Sequence, residues 1–263
     1  MLKKRIITAL ILLPIALGGF FLLDGWAFAL FIGAVVTLGA WEWARLAGLA
    51  AQPQRVTYAA VVAAVLYGAW LLGAAVLWWL LATLLVLNYP DSSRYWGGLP
   101  GKLLIGLLIL LPAWQGLVQL KQWPQANGLI IAVMVLVWGA DIGAYFAGKA
   151  FGKRKLAPRV SPGKSWEGFF GGLAASLLIT LAVGLQQGWQ TPGLLLALAG
   201  AALVVAGSVI GDLTESMFKR QSGIKDSSNL LPGHGGVLDR IDSLTAAIPL
   251  FAVLLWLAGW GVQ

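Results

Sequence analysis

Long apolar runs, broken at intervals by short polar ones, set the pattern of this chain, and the lengths of those runs count its helices. Crossing the hydrocarbon core of a bilayer takes about 20 apolar residues in an α-helix. Runs of that order lie at 1–23, 26–46, 102–120, 128–148, 168–187, 193–211 and 245–260. The stretch 56–88 is too long for a single crossing, and Gly73-Ala74 near its middle divides it into two shorter ones. The pattern predicts an all-α polytopic membrane protein with about nine transmembrane helices. It divides into an N-terminal membrane region, 1–127, of about five spans, and a C-terminal region, 128–263, of about four spans with polar loops at 149–167 and 212–244. The sequence contains no convincing long-period repeat and no linker of the kind that separates soluble domains.

The first run follows Lys3-Lys4-Arg5 and imitates a secretion signal. Its apolar part is longer than a signal core and a second span follows at once, so it is expected as an uncleaved first helix. Composition agrees with a membrane protein: 59% of residues are hydrophobic, 11% are charged, and the mean hydropathy is +0.84. Soluble chains carry roughly 25% charged residues. The absence of cysteine excludes disulfides, thiolate metal sites and a cysteine nucleophile.

Charge then orients the spans. With the N-terminus in the cytoplasm, every lysine and arginine except Lys121 falls on a cytoplasmic loop or helix end, as the positive-inside rule requires. The same arrangement puts Asp141, the basic loop 149–167, Asp212 and Asp239 on the cytoplasmic side. Trp26, Trp123, Trp189 and Trp260 fall near the outer ends, where an aromatic belt is expected. The net charge of +8 sits between apolar spans, which favours anionic lipid headgroups and phosphate compounds over nucleic acid as partners.

Half of the ten acidic residues and the single histidine lie within 208–243. Read as a helix, Ser208, Asp212, Glu215, Ser216 and Lys219 share one face. Lys225-Asp226 and a Ser/Asn-rich segment follow, then Pro232-Gly233-His234-Gly235-Gly236, whose glycines let backbone N–H groups approach a phosphate closely. Asp239 and Asp242 then share one side of a further helix, with Arg240 between them. Carboxylates, basic side chains and a glycine loop are what a magnesium ion shared with substrate phosphates uses. A solvated loop is the plain alternative for such a stretch.

Other polar groups carry their own alternatives. Glu42 and Arg45, three apart, are expected to pair with each other. Asp141, late in the sixth span, reads either as a functional intramembrane acid or as an interfacial partner of Lys149. The basic loop 149–167 reads as an inside anchor, or as an anion site in which Ser161-Pro162-Gly163-Lys164-Ser165 opens the next helix. It is not a Walker A loop, because the first glycine and the Gly-Lys spacing are missing.

The polar positions Ser216, Lys219-Arg220, Lys225-Asp226, His234-Gly235-Gly236, Asp239-Arg240 and Asp242 resemble the signature of the phosphatidate cytidylyltransferases, or CDP-diacylglycerol synthases. Trp138-Gly139-Ala140-Asp141-Ile142-Gly143-Ala144-Tyr145 is similar to a second segment of that family. Ser161 to Gly168 resembles a third, departing only in Ser165 where threonine is common. The resemblance implies transfer of the cytidylyl group of CTP to phosphatidic acid, with release of pyrophosphate, at the cytoplasmic face of a bacterial-type inner membrane. It implies Mg2+ on Asp212 and Asp239, with room for a second metal ion. Asp242 is either a further ligand or a partner of Arg240. Lys219 and Lys225 join the two acids as catalytic groups. Substrate binding is carried over to Asp141, Ser161, Lys164, Ser216, Arg220, Gly235, Gly236 and Arg240. His234 either touches phosphate or orders the glycine loop, and Glu215 is expected as a structural partner. Membrane lipids are further partners, and a homodimer is compatible with the reading. The rival functions are a CTP-dependent polyprenol or phytol kinase and, in a different class, a transporter of an anionic solute.

Overall fold

The structure, a computed structural model, describes residues 2–66 and 72–260. It is all-α apart from one short hairpin. In chain order the helices are α1 (Leu2–Phe21), α2 (Gly25–Ala47), α3 (Gln52–Leu66), α4 (Ala74–Leu87), the single turn α5 (Ser93–Trp96), α6 (Leu99–Gln122) and α7 (Ala126–Phe151). The strands β1 (Lys155–Ala157) and β2 (Ser161–Ser165) come next, followed by α8 (Trp166–Gln186), α9 (Thr191–Gln221) and α10 (Leu238–Leu257). Six of these, α2, α6, α7, α8, α9 and α10, are long and apolar enough to cross a membrane. Ile6–Phe21 and α4 are apolar but shorter. Gly73 stands where the break in 56–88 is expected, immediately before α4, while 67–71 lie outside the described residues.

Two elements differ from the sequence expectation in ways that position the site. The apolar run 193–211 and the polar face beginning at Ser208 form one continuous helix, α9, of 31 residues. At 1.5 Å per residue it is about 46 Å long, more than the roughly 30 Å of hydrocarbon, which is long enough for its polar C-terminal end to reach beyond an apolar layer. The basic loop, in turn, is a β-hairpin in which Lys155 pairs with Ser165 and Ala157 with Ser161. Ser161–Ser165 is therefore a strand that leads directly into α8. Ser165 is the N-cap of α8, its Oγ accepting from the Gly168 N–H at 3.1 Å. Glu167 closes the hairpin base by accepting the N–H groups of Lys153 and Arg154.

Helix packing follows residue size. α7 and α8 meet through small residues: a Cβ on Gly172 would lie 2.5 Å from the Ala140 carbonyl oxygen, and one on Gly143 would lie 2.7 Å from both the Gly171 oxygen and the Ala175 Cβ. Backbones this close gain van der Waals contact without needing a hydrophobic driving force. Gly172→Ala should therefore lower the stability of the detergent-solubilised protein by about 1–3 kcal/mol. A lower midpoint of thermal unfolding checks this, and an unchanged midpoint would show that α7 and α8 are not held by close approach.

The apolar face of α9 anchors that helix on the opposite side from its acids. Phe218 is fully buried between Trp43 of α2 and Trp96 of α5, with ring centroids 4.6 and 4.4 Å away. At the far end of the bundle Lys121 is buried, paired with Asp24 at 3.2 Å and donating to the Phe20 carbonyl and Asn127 Oδ1. The one basic residue expected outside the cytoplasmic set is thus neutralised in place. Of the tryptophans expected in an outer belt, Trp26 and Trp189 are exposed, whereas Trp123 is buried.

Candidate active site

The site is built where the C-terminal half of α9 meets the first turns of α10 and the hairpin that follows α7. Steps of three and four along α9 put Asp212, Glu215, Ser216 and Lys219 on one face, while Leu213, Met217 and Phe218 are buried on the other. Each of the two faces has a separate task. The apolar face holds the helix against α2, and the polar face presents charge.

Two lysine–carboxylate pairs result. Lys164 Nζ, from β2, lies 2.6 Å from Asp212 Oδ2, and Ser216 Oγ donates to Asp212 Oδ1 at 3.2 Å. Lys219 Nζ lies 2.6 Å from Asp239 Oδ1 and 2.8 Å from Glu215 Oε1. The second group is the more enclosed: the side chains of Lys219, Asp239 and Glu215 are 12%, 5% and 4% exposed, against 28% and 26% for Lys164 and Asp212. Asp239 also accepts from the Ser227 N–H, the Ser227 hydroxyl at 2.8 Å and the Gly236 N–H at 2.7 Å.

Asp242 stands between the pairs. It follows Asp239 by one turn of α10 and lies within Coulombic range of Asp212 and Glu215. The helices are close here, since a Cβ on Gly211 would lie 2.6 Å from the Asp242 carbonyl oxygen. Asp242 Oδ1 accepts from the Ser243 N–H and does not pair with Arg240, which is exposed.

Beside Asp212 a cavity of about 230 Å³ opens, lined by Asp141, Tyr145, Leu156, Lys164, Phe169 and Asp212 among others. Asp141 of α7 therefore faces the same space as Lys164. It makes no ion pair with Lys149, whose ammonium instead sits 5.9 Å from the centre of the Tyr145 ring. Arg220 Nε donates to the Val160 carbonyl at the hairpin turn. Ser161 begins β2 opposite Ala157, and Lys225 is exposed on the loop after α9.

The glycine loop has a geometry of its own. Gly233 and Gly235 take positive φ of 79° and 82°, which favours glycine. Gly235 also faces Asp239, whose Oδ2 would lie 2.7 Å from a Cβ there. The Gly236 N–H is turned inward to Asp239 rather than outward. The His234 N–H donates to the Leu231 carbonyl, and its Nδ1 is buried without a hydrogen-bond partner.

Sequence reasoning missed Glu42. No Glu42–Arg45 pair forms: Arg45 Nη1 donates to the Ser227 carbonyl at 3.2 Å, and Glu42 accepts from the Ser228 hydroxyl and the Val237 and Leu238 N–H groups, with Ser227 Oγ 3.2 Å away. A separation of three residues is helical contact distance, which is the whole basis for expecting that pair. The N-terminal N–H groups of α10 compete better for the carboxylate than an exposed guanidinium does. A lone acid in an apolar span was the available signal.

For a hard divalent cation the donor chemistry is suitable: Asp212 on α9 and Asp239 and Asp242 on α10 supply carboxylate oxygens, and Glu215 Oε2 is buried with no hydrogen-bond partner. Among the described residues no three of His, Cys, Asp and Glu form a ready-made metal cage. Mg2+ does not require one, since it commonly takes one or two carboxylates and completes its shell with phosphate and water.

Residues 3–258 match the model of the cytidylyltransferase family. A phosphatidate cytidylyltransferase of Pseudomonas aeruginosa is 77% identical, with 99% of each chain covered. One of Haemophilus influenzae is 43% identical over 96% of this chain and 98% of its own. Another, from Brucella suis, is 51% identical over 49% of this chain and 46% of its own. With a match across nearly its whole length, the chain belongs to the cytidylyltransferase family.

Proposed function

We propose that the protein transfers the cytidylyl group of CTP to phosphatidic acid, giving CDP-diacylglycerol and pyrophosphate. The observation that carries this reading is the junction of α9, α10 and the hairpin, where Lys164 pairs with Asp212 beside a cavity also lined by Asp141, and Lys219 pairs with Asp239. The near full-length similarity to a phosphatidate cytidylyltransferase supports the same substrates.

In this reaction an oxygen of the lipid phosphate attacks the α-phosphorus of CTP, and pyrophosphate leaves. The nucleophile is already ionised at neutral pH, so no general base is required. The obstacle is repulsion between two anions, and fixed positive charge at the oxygens that gain charge removes it. Asp212 and Asp239 would hold Mg2+, with Asp242 beside them. The bound ion would supply charge neutralisation and polarise the phosphoryl oxygens. Lys164 stands on Asp212 and Lys219 on Asp239, and their ammonium groups would meet the phosphates as they arrive. Lys225 and Arg240 are exposed and free to attract the triphosphate, with Ser161 and Ser216 as hydroxyl donors. Arg220 contributes by holding the hairpin that carries Lys164. Asp141 forms the opposite wall, and His234, Gly235 and Gly236 shape the loop over Asp239.

The remaining features of the reading are an inner-membrane protein of nine spans, a cytoplasmic N-terminus and a site open to the cytoplasm. Positive-inside charge and the burial of Lys121 at the opposite end support this orientation.

Membranes containing the chain, given CTP labelled at the α-phosphate and phosphatidic acid, should form a labelled CDP-lipid and release pyrophosphate, and EDTA should stop both. In a parallel assay with CTP labelled at the γ-phosphate, transfer of that label to a lipid alcohol, with no α-label in lipid, would replace this reading with a lipid kinase. Uptake of an anion without a covalent product would replace it with a transporter.

A further inference from the structure

We propose that Glu42, on α2 and outside every segment assigned to the reaction, is a positioning residue that fixes Asp239 by clamping the loop 227–238. This deepens the cytidylyl-transfer reading and rests on it. Glu42 is fully buried, and both of its oxygens are used twice. Oε1 accepts from Ser228 Oγ at 2.6 Å and from the Val237 N–H at 3.0 Å. Oε2 accepts from the Leu238 N–H at 2.6 Å and lies 3.2 Å from Ser227 Oγ.

All four of these neighbours belong to the segment that delivers Asp239. Val237 and Leu238 open α10, where the first N–H groups lack intrahelical acceptors and the helix dipole favours a negative charge. Glu42 is thus a cap supplied from another helix. Ser227 connects it to the site, because its hydroxyl lies between Glu42 and Asp239 and its own N–H donates to Asp239 at 3.0 Å. The loop is held between two carboxylates, one from α2 and one from α10, while Arg45 fixes the Ser227 carbonyl from the same side. Gly236 completes the clamp: a side chain there would run into Ser227 Oγ and Glu42 Oε1, so its N–H can turn to Asp239 only while that space stays empty.

A residue that merely supported the fold would lower the fraction of active protein and leave each active molecule with the normal metal requirement. A residue that places Asp239 should change the requirement itself. The test uses the full chain purified in detergent, with Glu42→Gln and Ser227→Ala. Gln preserves size but turns an amide N–H₂ toward a donor, and Ala removes the bridging hydroxyl. The Mg2+ concentration for half-maximal CDP-lipid formation should rise about 10- to 100-fold in each, as found when the groups orienting a ligand are lost. The KM for phosphatidic acid should stay unchanged, and the double variant should show less than the product of the two single effects. Amide exchange measured by mass spectrometry should quicken across 227–238 and stay as before in α7 and α8.

A lower maximal rate with an unchanged metal requirement, however fast the exchange, would reduce Glu42 to fold support and overturn the proposal. Unchanged exchange would overturn the clamp. If Glu42→Gln does not accumulate, Ser227→Ala alone decides: a raised Mg2+ requirement with faster exchange supports the clamp, and the absence of either overturns it. A wild-type chain that makes no CDP-lipid overturns the transfer reading and the catalytic half of this proposal. The exchange data distinguish that outcome from failure of the clamp.

Discussion

Asp239→Asn should lower CDP-lipid formation by about 100- to 1,000-fold, the cost of removing one group that stabilises charge in a transition state, while the protein still inserts and folds. The substitution removes a negative charge and little else. Asn keeps one oxygen to accept from Ser227 or Gly236, and Lys219 keeps Glu215 as its partner at 2.8 Å. Asp212→Asn should have an effect of the same order on activity and a smaller one on stability, because Asp212 and Lys164 are both about a quarter exposed. Turnover of both variants is measured with α-labelled CTP, and insertion by recovery of monodisperse protein in detergent. Near-normal turnover in either would remove that residue from the metal site. Loss of folded protein would instead show that its charge serves the fold.

Lys219→Met should be the most destabilising single change at the site, by about 3–5 kcal/mol. Lys219 is the only cation within ion-pair distance of Asp239 and Glu215 among the described residues, and both carboxylates are almost fully buried. Met keeps the length of the side chain and removes the charge, which leaves two acids facing each other in a poorly solvated place. The thermal unfolding midpoint in detergent should fall accordingly. Adding Glu215→Gln should recover part of the stability and none of the activity, since it removes one unpaired charge without restoring the ammonium. If Lys219→Met melts like the wild type, Lys219 does not balance the charge of the two buried acids.

Much of the site is legible from residue spacing. Asp212, Glu215, Ser216 and Lys219 share a helix face because steps of three and four always do, and α9 presents them together. The small residues Gly168, Gly171 and Gly172 read as a close-packing face, and Gly143, Gly168, Gly171 and Gly172 line the contact of α7 with α8. The hairpin at 155–165 is not legible. Its strands are three and five residues long, and they carry charge rather than alternating apolar residues, so no period announces them. The loop glycines read as facing a ligand, yet the Gly236 N–H points to Asp239. Backbone direction in a loop depends on what it packs against.

Apolar run lengths, the side of the membrane favoured by the basic residues and the grouping of acids on helix faces all follow from the sequence alone. They are local properties, set by helix geometry and by the cost of burying charge in hydrocarbon. Only the tertiary structure decided the partners. Lys164 reaches Asp212 across 48 positions and Glu42 reaches Leu238 across 196. A buried charge takes whichever counter-charge or N–H the packed helices bring within about 3 Å, and no spacing along the chain encodes that distance.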